Sequence, residues 1–302
     1  MIKMKKMRLF NILLMLCIIS LLAACDPAAR GVDVSENLGP AVGEVILASR
    51  EDGSGTRGAF TKITGVMVED EDGNSEDHTY IEAVIQNSTE GIISTVAGDA
   101  NAIGYISLGS LNQTVKGIAI DGVKPSNRTI QNGTFPIARD FNIAWQEDRL
   151  NPVAQDFITY ALSTQGQEIA AEQGYVEAIS DTKPYSGEGS QSGNISIVGS
   201  TSVTPLVEAL VEAYTTLNPN VQIDITSNGS SAGMMAVLDG IADIGMASRA
   251  LKEDEAEKLE SLSIAVDGIV VIVNNNNQIE SLTLKQVQDI FTGEITEWEA
   301  VQ

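Results

Sequence analysis

Four short stretches of this sequence combine Gly with Ser, and two of them also with Thr, where an apolar run gives way to a helical pattern. The first, SREDGSGTRGAF at 49–60, follows the apolar run 45–48 and also carries Arg50. A glycine-rich turn that leads into a helix presents free backbone N–H groups, and these favour an anion. The stretch therefore predicts an anion-binding turn to which Arg50 adds a positive charge.

The other three stretches are VGSTSVTP at 198–205, SNGSSAGM at 227–234 and IGMASRA at 244–250. Ligands of open α/β sheets bind outside the carboxyl ends of the strands, where these turns lie. One such turn alone is usually only a turn, but four in one chain predict a shared site for a small oxyanion. Asp52 either holds the Arg50 guanidinium by a charge-assisted hydrogen bond or serves only as a turn former.

The segments between these turns read as alternating strands and helices, which predicts an α/β fold. Two long extended segments stand out, FPIARDFNIAW at 135–145 and LSIAVDGIVVIVN at 262–274. Residues 180–194 are rich in Gly and Ser and lack apolar periodicity. That composition predicts a flexible linker.

The N-terminus has the pattern of an export signal. A basic leader precedes the apolar run 9–22, and the sequence Leu-Ala-Ala-Cys then ends at Cys25. This pattern predicts a secretory signal at 1–25. Its ending resembles a lipobox, in which Cys25 is lipidated and becomes the mature N-terminus; the alternative is an uncleaved anchor. Either way we expect a protein outside the cytoplasm, held to the membrane through a tether at 26–42.

Composition excludes several classes of function. The formal net charge of -23 argues against a nucleic-acid partner, which requires a basic patch. An anion site remains compatible with it, because helix N-termini act locally while distant carboxylates are screened by salt. His78 is the only histidine and lies beside an acidic run, so we expect a surface residue and neither a metal nor a cofactor. An enzyme is the competing class of function, but the phosphate-binding-loop motif Gly-x-x-x-x-Gly-Lys-Ser/Thr is missing.

Several motifs together resemble the phosphate-binding lipoproteins of phosphate ABC transporters. They are SREDGSGTRGAF, AIGYISL, FPIARDFNIAW, VGSTSVTPLVEALVEAY, SNGSSAG, ADIGMASR and IFTGEITEW, and the resemblance covers nearly all of 43–302. It implies a type II periplasmic-binding-protein fold, in which two α/β lobes enclose a ligand cleft. Lobe one would combine 143–180 with 195–268, and lobe two 43–134 with 272–302.

The order of the motifs differs from that of the family. Residues 43–182 resemble the second half of the module and 195–302 the first half, joined by a linker at 183–194. We interpret this as a circular permutation, which can fold because domain termini often lie close together. The alternative is a truncated tandem array whose halves complete each other within one chain or swap between chains. The linker favours completion within one chain, since it keeps the effective concentration of the halves high.

The resemblance implies a set of phosphate contacts and the partners of the protein. The implied contacts are Arg50, Ser54, Gly55, Thr56, Thr201, Ser202, Ser230 and Ser248. Some family members carry Asp after the last serine, where it accepts a phosphate proton and repels sulfate. Here that residue is Arg249, which we expect either to add charge to the site or to point to solvent.

The implied function is capture of inorganic phosphate for the permease subunits of an ABC transporter. The alternatives are binding of another tetrahedral oxyanion, such as sulfate, molybdate or tungstate, and a surface phosphate sensor without a transport role.

Overall fold

Strands and helices alternate along the chain as the apolar patterns predict. The structure is a computed structural model, and it describes residues 42–70, 74–187 and 189–301. The strands are β1 (Ile46–Arg50), β2 (Met67–Glu69), β3 (Ser75–Asp77), β4 (Val84–Gln86), β5 (Ala102–Ser107), β6 (Val115–Gly117), β7 (Ala119–Ile120), β8 (Ala138–Trp145), β9 (Val176–Glu177), β10 (Ser192–Gly199), β11 (Asn220–Ser227), β12 (Ile244–Ala247), β13 (Glu260–Asn274) and β14 (Ser281–Leu282).

The helices are mostly short and amphipathic, and polar side chains cap the N-termini of several of them. They are α1 (Gly55–Thr64), α2 (Thr89–Gly98), α3 (Asn127–Gln131), α4 (Pro152–Ala161), α5 (Thr164–Glu172), α6 (Thr204–Leu217), α7 (Ser230–Leu238), α8 (Glu253–Ala256) and α9 (Leu284–Thr292). Within the described ranges, no helix has both the length and the apolar character needed to cross a bilayer.

One long strand connects the two halves of the main sheet, whose order is β11-β10-β12-β8-β13-β5-β1-β4. The first part of β13, residues 260–268, pairs antiparallel with β8. Its second part, residues 269–273, pairs antiparallel with β5. Because β8 and β5 come from the first part of the sequence and β13 from the last, both parts of the chain build the same sheet.

Two large hydrophobic cores divide the molecule into two lobes. The core of lobe one is built from buried residues of 141–175 and 195–265. The core of lobe two is built from buried residues of 45–137 and 269–298. The boundary therefore falls on β8 and β13, within the two long extended segments at 135–145 and 262–274.

The first and last described segments meet in lobe two. The Trp298 N–H donates to the Gly43 carbonyl at 2.9 Å, and Glu44 forms an antiparallel bridge with Glu297. The Trp298 indole is buried and donates to the Asn101 carbonyl at 2.9 Å. A circular permutation requires such a junction between the two ends, although the order of the halves itself stays a prediction.

The predicted linker at 180–194 is more ordered than its composition indicates. Residues 192–194 belong to β10 and pair with 220–222 of β11. The Tyr185 hydroxyl donates to Asp156 at 2.6 Å, and its ring lies 5.1 Å from the Tyr160 ring, centroid to centroid. The contacts of Tyr185 and the pairing of β10 with β11 thus order both ends of a stretch that its Gly and Ser content predicts to be flexible.

Candidate oxyanion-binding site

The first Gly-rich turn brings the N-terminus of α1 against lobe one. Ser54 caps this helix, its hydroxyl accepting from the Arg57 N–H at 3.3 Å. A Cβ atom added to Gly55 would lie only 2.3 Å from Ser230 Oγ and 2.7 Å from Ser248 Oγ. Glycine is required here because the backbone of lobe two touches two hydroxyls of lobe one.

A group of side-chain hydroxyls joins the two lobes, and we call it the hydroxyl cluster. Thr56 Oγ1 lies 2.8 Å from Ser202 Oγ. Thr89 Oγ1 lies 3.3 Å from both Ser202 Oγ and Thr201 Oγ1. Lobe two contributes Thr56 and Thr89 to the cluster, and lobe one contributes Ser200, Thr201, Ser202, Ser230 and Ser248.

Ser248 connects the lobe-one members of the cluster. Its hydroxyl accepts from Ser200 Oγ at 2.9 Å and lies 3.4 Å from both Ser230 Oγ and Thr56 Oγ1. Its backbone N–H donates to Ser230 Oγ at 3.1 Å. These hydroxyls are buried. Because a hydroxyl both donates and accepts, each of them can exchange its present partner for an anionic oxygen.

Four helices begin at the hydroxyl cluster. Thr89 and Ser230 are the first residues of α2 and α7, Thr56 is the second residue of α1, and Ser202 lies two residues before α6. The N-terminus of a helix carries a partial positive charge and free N–H groups. The cluster therefore combines neutral hydrogen-bond donors with a positive local field, even though the whole chain is strongly acidic.

Arg50 is buried, and of the two roles expected for Asp52, the pairing with Arg50 is not the one observed. The guanidinium is 2% exposed and donates twice to Glu51, Nε to Oε2 at 2.8 Å and Nη2 to Oε1 at 2.9 Å. Asp52 is 96% exposed and pairs with Arg57 Nη1 at 3.0 Å. Asp52 lies in the open turn, where it reaches only the arginine at the start of α1, so Glu51 holds Arg50.

Arg249 does not point to solvent, so that expectation is wrong, and its contribution to the charge of the site stays a prediction. Its guanidinium is 11% exposed and binds both oxygens of Glu255, at 2.7 and 2.8 Å. Burial alone would raise the pKa of the Glu255 carboxyl, but hydrogen bonds from Arg249 and the Lys252 N–H hold the pKa below its usual value. The pair neutralises the charge of Arg249.

Sequence reasoning named Thr201, Ser202, Ser230, Ser248 and Thr56, and the structure brings these five together in the cluster, with Ser54 and Gly55 beside them. It did not name Thr89, Ser200 or Glu51. Thr89 also follows a strand and opens a capped helix, so its position carried the same signal as the four turns, but without a glycine. Cys25 and the predicted signal lie outside the described residues.

Two α/β lobes joined by crossing strands, with a polar site between them, define a protein of the periplasmic-binding class. Residues 185–302 match a domain described as a PBP superfamily domain. The chain is 50% identical over 262 residues to "Phosphate-binding protein PstS 2" of Streptococcus pneumoniae, covering 87% of this chain and 89% of the relative. It is 41% identical over 298 residues to the PstS 2 protein of Streptococcus agalactiae, covering 98% of each.

A solved structure agrees with these matches. The crystal structure of a phosphate ABC transporter phosphate-binding protein from Streptococcus pneumoniae superposes with a TM-score of 0.69 at 50% identity, covering 86% of this chain and 100% of that one. This chain therefore belongs to the PstS family of phosphate-binding proteins, and the resemblance stated from its motifs is confirmed. A more distant relative from Pseudomonas aeruginosa matches at 34% identity over 136 residues, 41% of this chain and 42% of the relative.

Proposed function

We propose that this protein captures inorganic phosphate between its two lobes and delivers it to an ABC transporter. The observation that carries the proposal is the hydroxyl cluster, in which Thr56 of lobe two contacts Ser202 of lobe one at 2.8 Å at the start of their helices. The relatives that match most of the chain are named as phosphate-binding proteins, and one comes from a phosphate ABC transporter. Their family is one of binding proteins, so the enzyme alternative is dropped.

Phosphate enters when the lobes separate, and its oxygens replace the hydroxyl–hydroxyl contacts that now join the lobes. Each oxygen accepts from hydroxyls and helix N–H groups, and the Arg50 guanidinium supplies the charge-assisted contact. The bound anion shifts an open–closed equilibrium because it contacts both lobes only when they are closed. The ligand contacts are Arg50, Ser54, Gly55, Thr56, Thr89, Thr201, Ser202, Ser230 and Ser248.

The permease subunits of the transporter are the proposed protein partner, and a lipid on Cys25 is the proposed membrane anchor. The Leu-Ala-Ala-Cys sequence after an apolar run supports the anchor. An anchored binding protein stays close to a permease in the same membrane, which raises its effective concentration there. We propose an extracytoplasmic location on the same grounds.

We also propose that the order of the two halves is a circular permutation. The contact between Gly43 and Trp298 supports it, because a closed module would pass through that point. The matches support it as well: the PstS 2 relatives align over nearly their whole length, whereas the Pseudomonas aeruginosa protein aligns over less than half. An alignment that keeps chain order can follow only one half of a permuted relative.

Calorimetric titration of the purified protein tests the function. We expect heat and saturation with phosphate, and much weaker binding of sulfate, molybdate and tungstate. If one of those anions binds more tightly than phosphate, that anion is the ligand. If neither phosphate nor any of those anions binds, the proposal is rejected. Deletion of the gene separates transport from sensing, since loss of a transport component lowers the rate of phosphate uptake and loss of a sensor leaves the carrier intact.

A further inference from the structure

A buried ion pair lies on the two strands that cross between the lobes. Arg139 of β8 and Asp267 of β13 are opposite each other in the strand register. The Arg139 guanidinium donates to Asp267 Oδ2 from Nη2 at 3.0 Å and from Nε at 3.3 Å. The side chains are 3% and 0% exposed. We call these two residues the crossing pair.

The crossing pair also bonds to both lobes. Asp267 Oδ1 accepts from the Ser107 hydroxyl at 2.8 Å and from the Leu108 N–H at 3.1 Å, at the end of β5 in lobe two. Arg139 Nη1 donates to the Ser248 carbonyl at 3.0 Å, at the end of β12 in lobe one. The pair therefore links the carboxyl end of a lobe-two strand to the backbone of a residue in the hydroxyl cluster.

All three polar groups of Ser248 have hydrogen-bond partners. Its hydroxyl and N–H bond to Ser200 and Ser230 of the hydroxyl cluster, while its carbonyl accepts from Arg139 at 3.0 Å. A buried ion pair is weak evidence for stability, because well-packed apolar side chains often replace it without loss. A role in geometry explains its presence better, since the planar guanidinium can bridge a carboxylate and a carbonyl in fixed directions.

We propose that Arg139, held in place by Asp267, is a positioning residue for phosphate capture that fixes the Ser248 hydroxyl toward the anion. This inference rests on the proposed function. Arg139 does not itself touch the phosphate; it acts through the carbonyl of Ser248. The crossing pair thereby couples the strands on which the lobes turn to the geometry of the site.

Phosphate titration of a double variant, Arg139→Met/Asp267→Leu, tests the proposal. Two apolar side chains remove the charges together, so we expect the variant to fold with stability close to that of the wild type. We expect its phosphate dissociation constant to rise about tenfold, because one charge-assisted contact in the site is lost or misdirected. If the crossing pair had a purely structural role, a double variant that keeps wild-type stability would also keep wild-type phosphate affinity.

A double-mutant cycle gives the second readout. Arg139→Lys keeps the charge but loses the planar fork, and we expect it to weaken phosphate binding several-fold. In a Ser248→Ala background the same substitution should change affinity less than about twofold, because the hydroxyl that Arg139 positions is gone. In a Thr201→Ala background its several-fold effect should persist.

The matched control is Arg249→Met/Glu255→Leu, which removes the other partly buried arginine–carboxylate pair beside Ser248. We expect phosphate affinity close to that of the wild type for this variant. Wild-type affinity in Arg139→Met/Asp267→Leu, or an undiminished effect of Arg139→Lys in the Ser248→Ala background, would overturn the positioning role. Those results leave the proposed function intact, whereas a wild-type protein that binds no phosphate rejects the function itself.

Discussion

The hydroxyl cluster and the crossing pair both join the two lobes, and both contact Ser248, but they differ in charge. The cluster consists of neutral hydroxyls at 2.8 to 3.4 Å from one another, each able to donate or accept. The crossing pair consists of two opposite charges, and its carboxylate accepts from Arg139, Ser107 and Leu108. Neutral contacts can exchange partners at little cost, whereas a buried charge cannot lose its partner cheaply. We therefore expect the hydroxyl cluster to open for a ligand and the crossing pair to stay fixed.

The largest effect on affinity is expected at the one charged ligand contact. Arg50→Ala removes the guanidinium and leaves Glu51 without its partner near an incoming anion. Hydrogen bonds to charged groups contribute about 1.5–3 kcal/mol, so we expect phosphate affinity to fall between about tenfold and a hundredfold. Calorimetric titration measures it. Unchanged phosphate affinity in the Arg50→Ala protein would show that Arg50 is not a ligand contact.

Single hydroxyls of the cluster should each matter less than Arg50. Thr201→Ala, Ser202→Ala and Thr89→Val each delete one donor, and we expect a loss of about tenfold in phosphate affinity for each. Thr204→Val serves as the control, because the Thr204 hydroxyl donates to Ser200 O at 2.9 Å and lies outside the cluster. If Thr204→Val weakens binding as much as the cluster variants do, the cluster is not the ligand site.

The Arg249–Glu255 pair should affect stability and its pH dependence instead of affinity. The pKa of the Glu255 carboxyl is lower in the folded than in the unfolded protein, so the ionised carboxylate stabilises the fold above the unfolded pKa. This contribution disappears as the pH falls through the folded pKa. We therefore expect Glu255→Gln to lower the free energy of unfolding by about 1–2 kcal/mol at pH 7.

Denaturant titrations at neutral and acidic pH measure this effect, and the gap between Glu255→Gln and wild type should close in acid. Phosphate affinity at pH 7 should change less than about threefold, because the Arg249 guanidinium donates to Glu255, the Ala250 carbonyl and the Ser231 hydroxyl, none of which belongs to the cluster. A gap that widens on acidification would contradict the lowered pKa. A tenfold loss of phosphate affinity in Glu255→Gln would indicate that Arg249 contributes to the phosphate site.

A smaller effect is expected beside the crossing pair, at Tyr175. Its ring lies over Gly109, where an added Cβ would be 2.3 Å from the Tyr175 Cζ atom. Its hydroxyl is buried and has no hydrogen-bond partner within the described part of the chain. Burial, together with the negative charge of Asp267, raises the pKa of Tyr175, so the hydroxyl stays protonated at neutral pH.

Tyr175→Phe removes that unpaired hydroxyl and keeps the ring. An unsatisfied buried polar group costs about 1 kcal/mol or more, so we expect the free energy of unfolding to rise by about 1 kcal/mol. Denaturant titration measures the change, and Tyr185→Phe is the control that should lose stability, because its hydroxyl donates to Asp156 at 2.6 Å. Lower stability of Tyr175→Phe would show that its hydroxyl does have a partner.

The sequence was most informative where local chemistry determines local backbone. Gly, Ser and Thr at strand-to-helix junctions predicted the turns, and five of the named residues meet in the cluster. Thr56 and Ser230 lie in the first turn of a helix, Thr201 and Ser202 lie just before one, and Ser248 directly follows β12. The two long extended segments predicted at 135–145 and 262–274 contain β8 and β13. The charged segment 252–260 is helical only over Glu253–Ala256, because Glu260 already pairs with β8.

Partners in space were harder to predict than positions along the chain. Arg50 pairs with Glu51 and not with Asp52, and the choice depends on which carboxylate the turn leaves buried. Arg249 meets Glu255 only because α8 folds back toward it. Arg139 and Asp267 are 128 residues apart, and no local pattern in either segment indicates that they are opposite each other.

The most direct test of the account is a crystal structure of the protein with phosphate bound. We predict phosphate oxygens within about 2.7–3.2 Å of Thr56 Oγ1 from lobe two and of Ser202 Oγ from lobe one at the same time. The Arg139–Asp267 contact should be unchanged. A phosphate that contacts only one lobe, or that lies away from the hydroxyl cluster, would contradict the central claim.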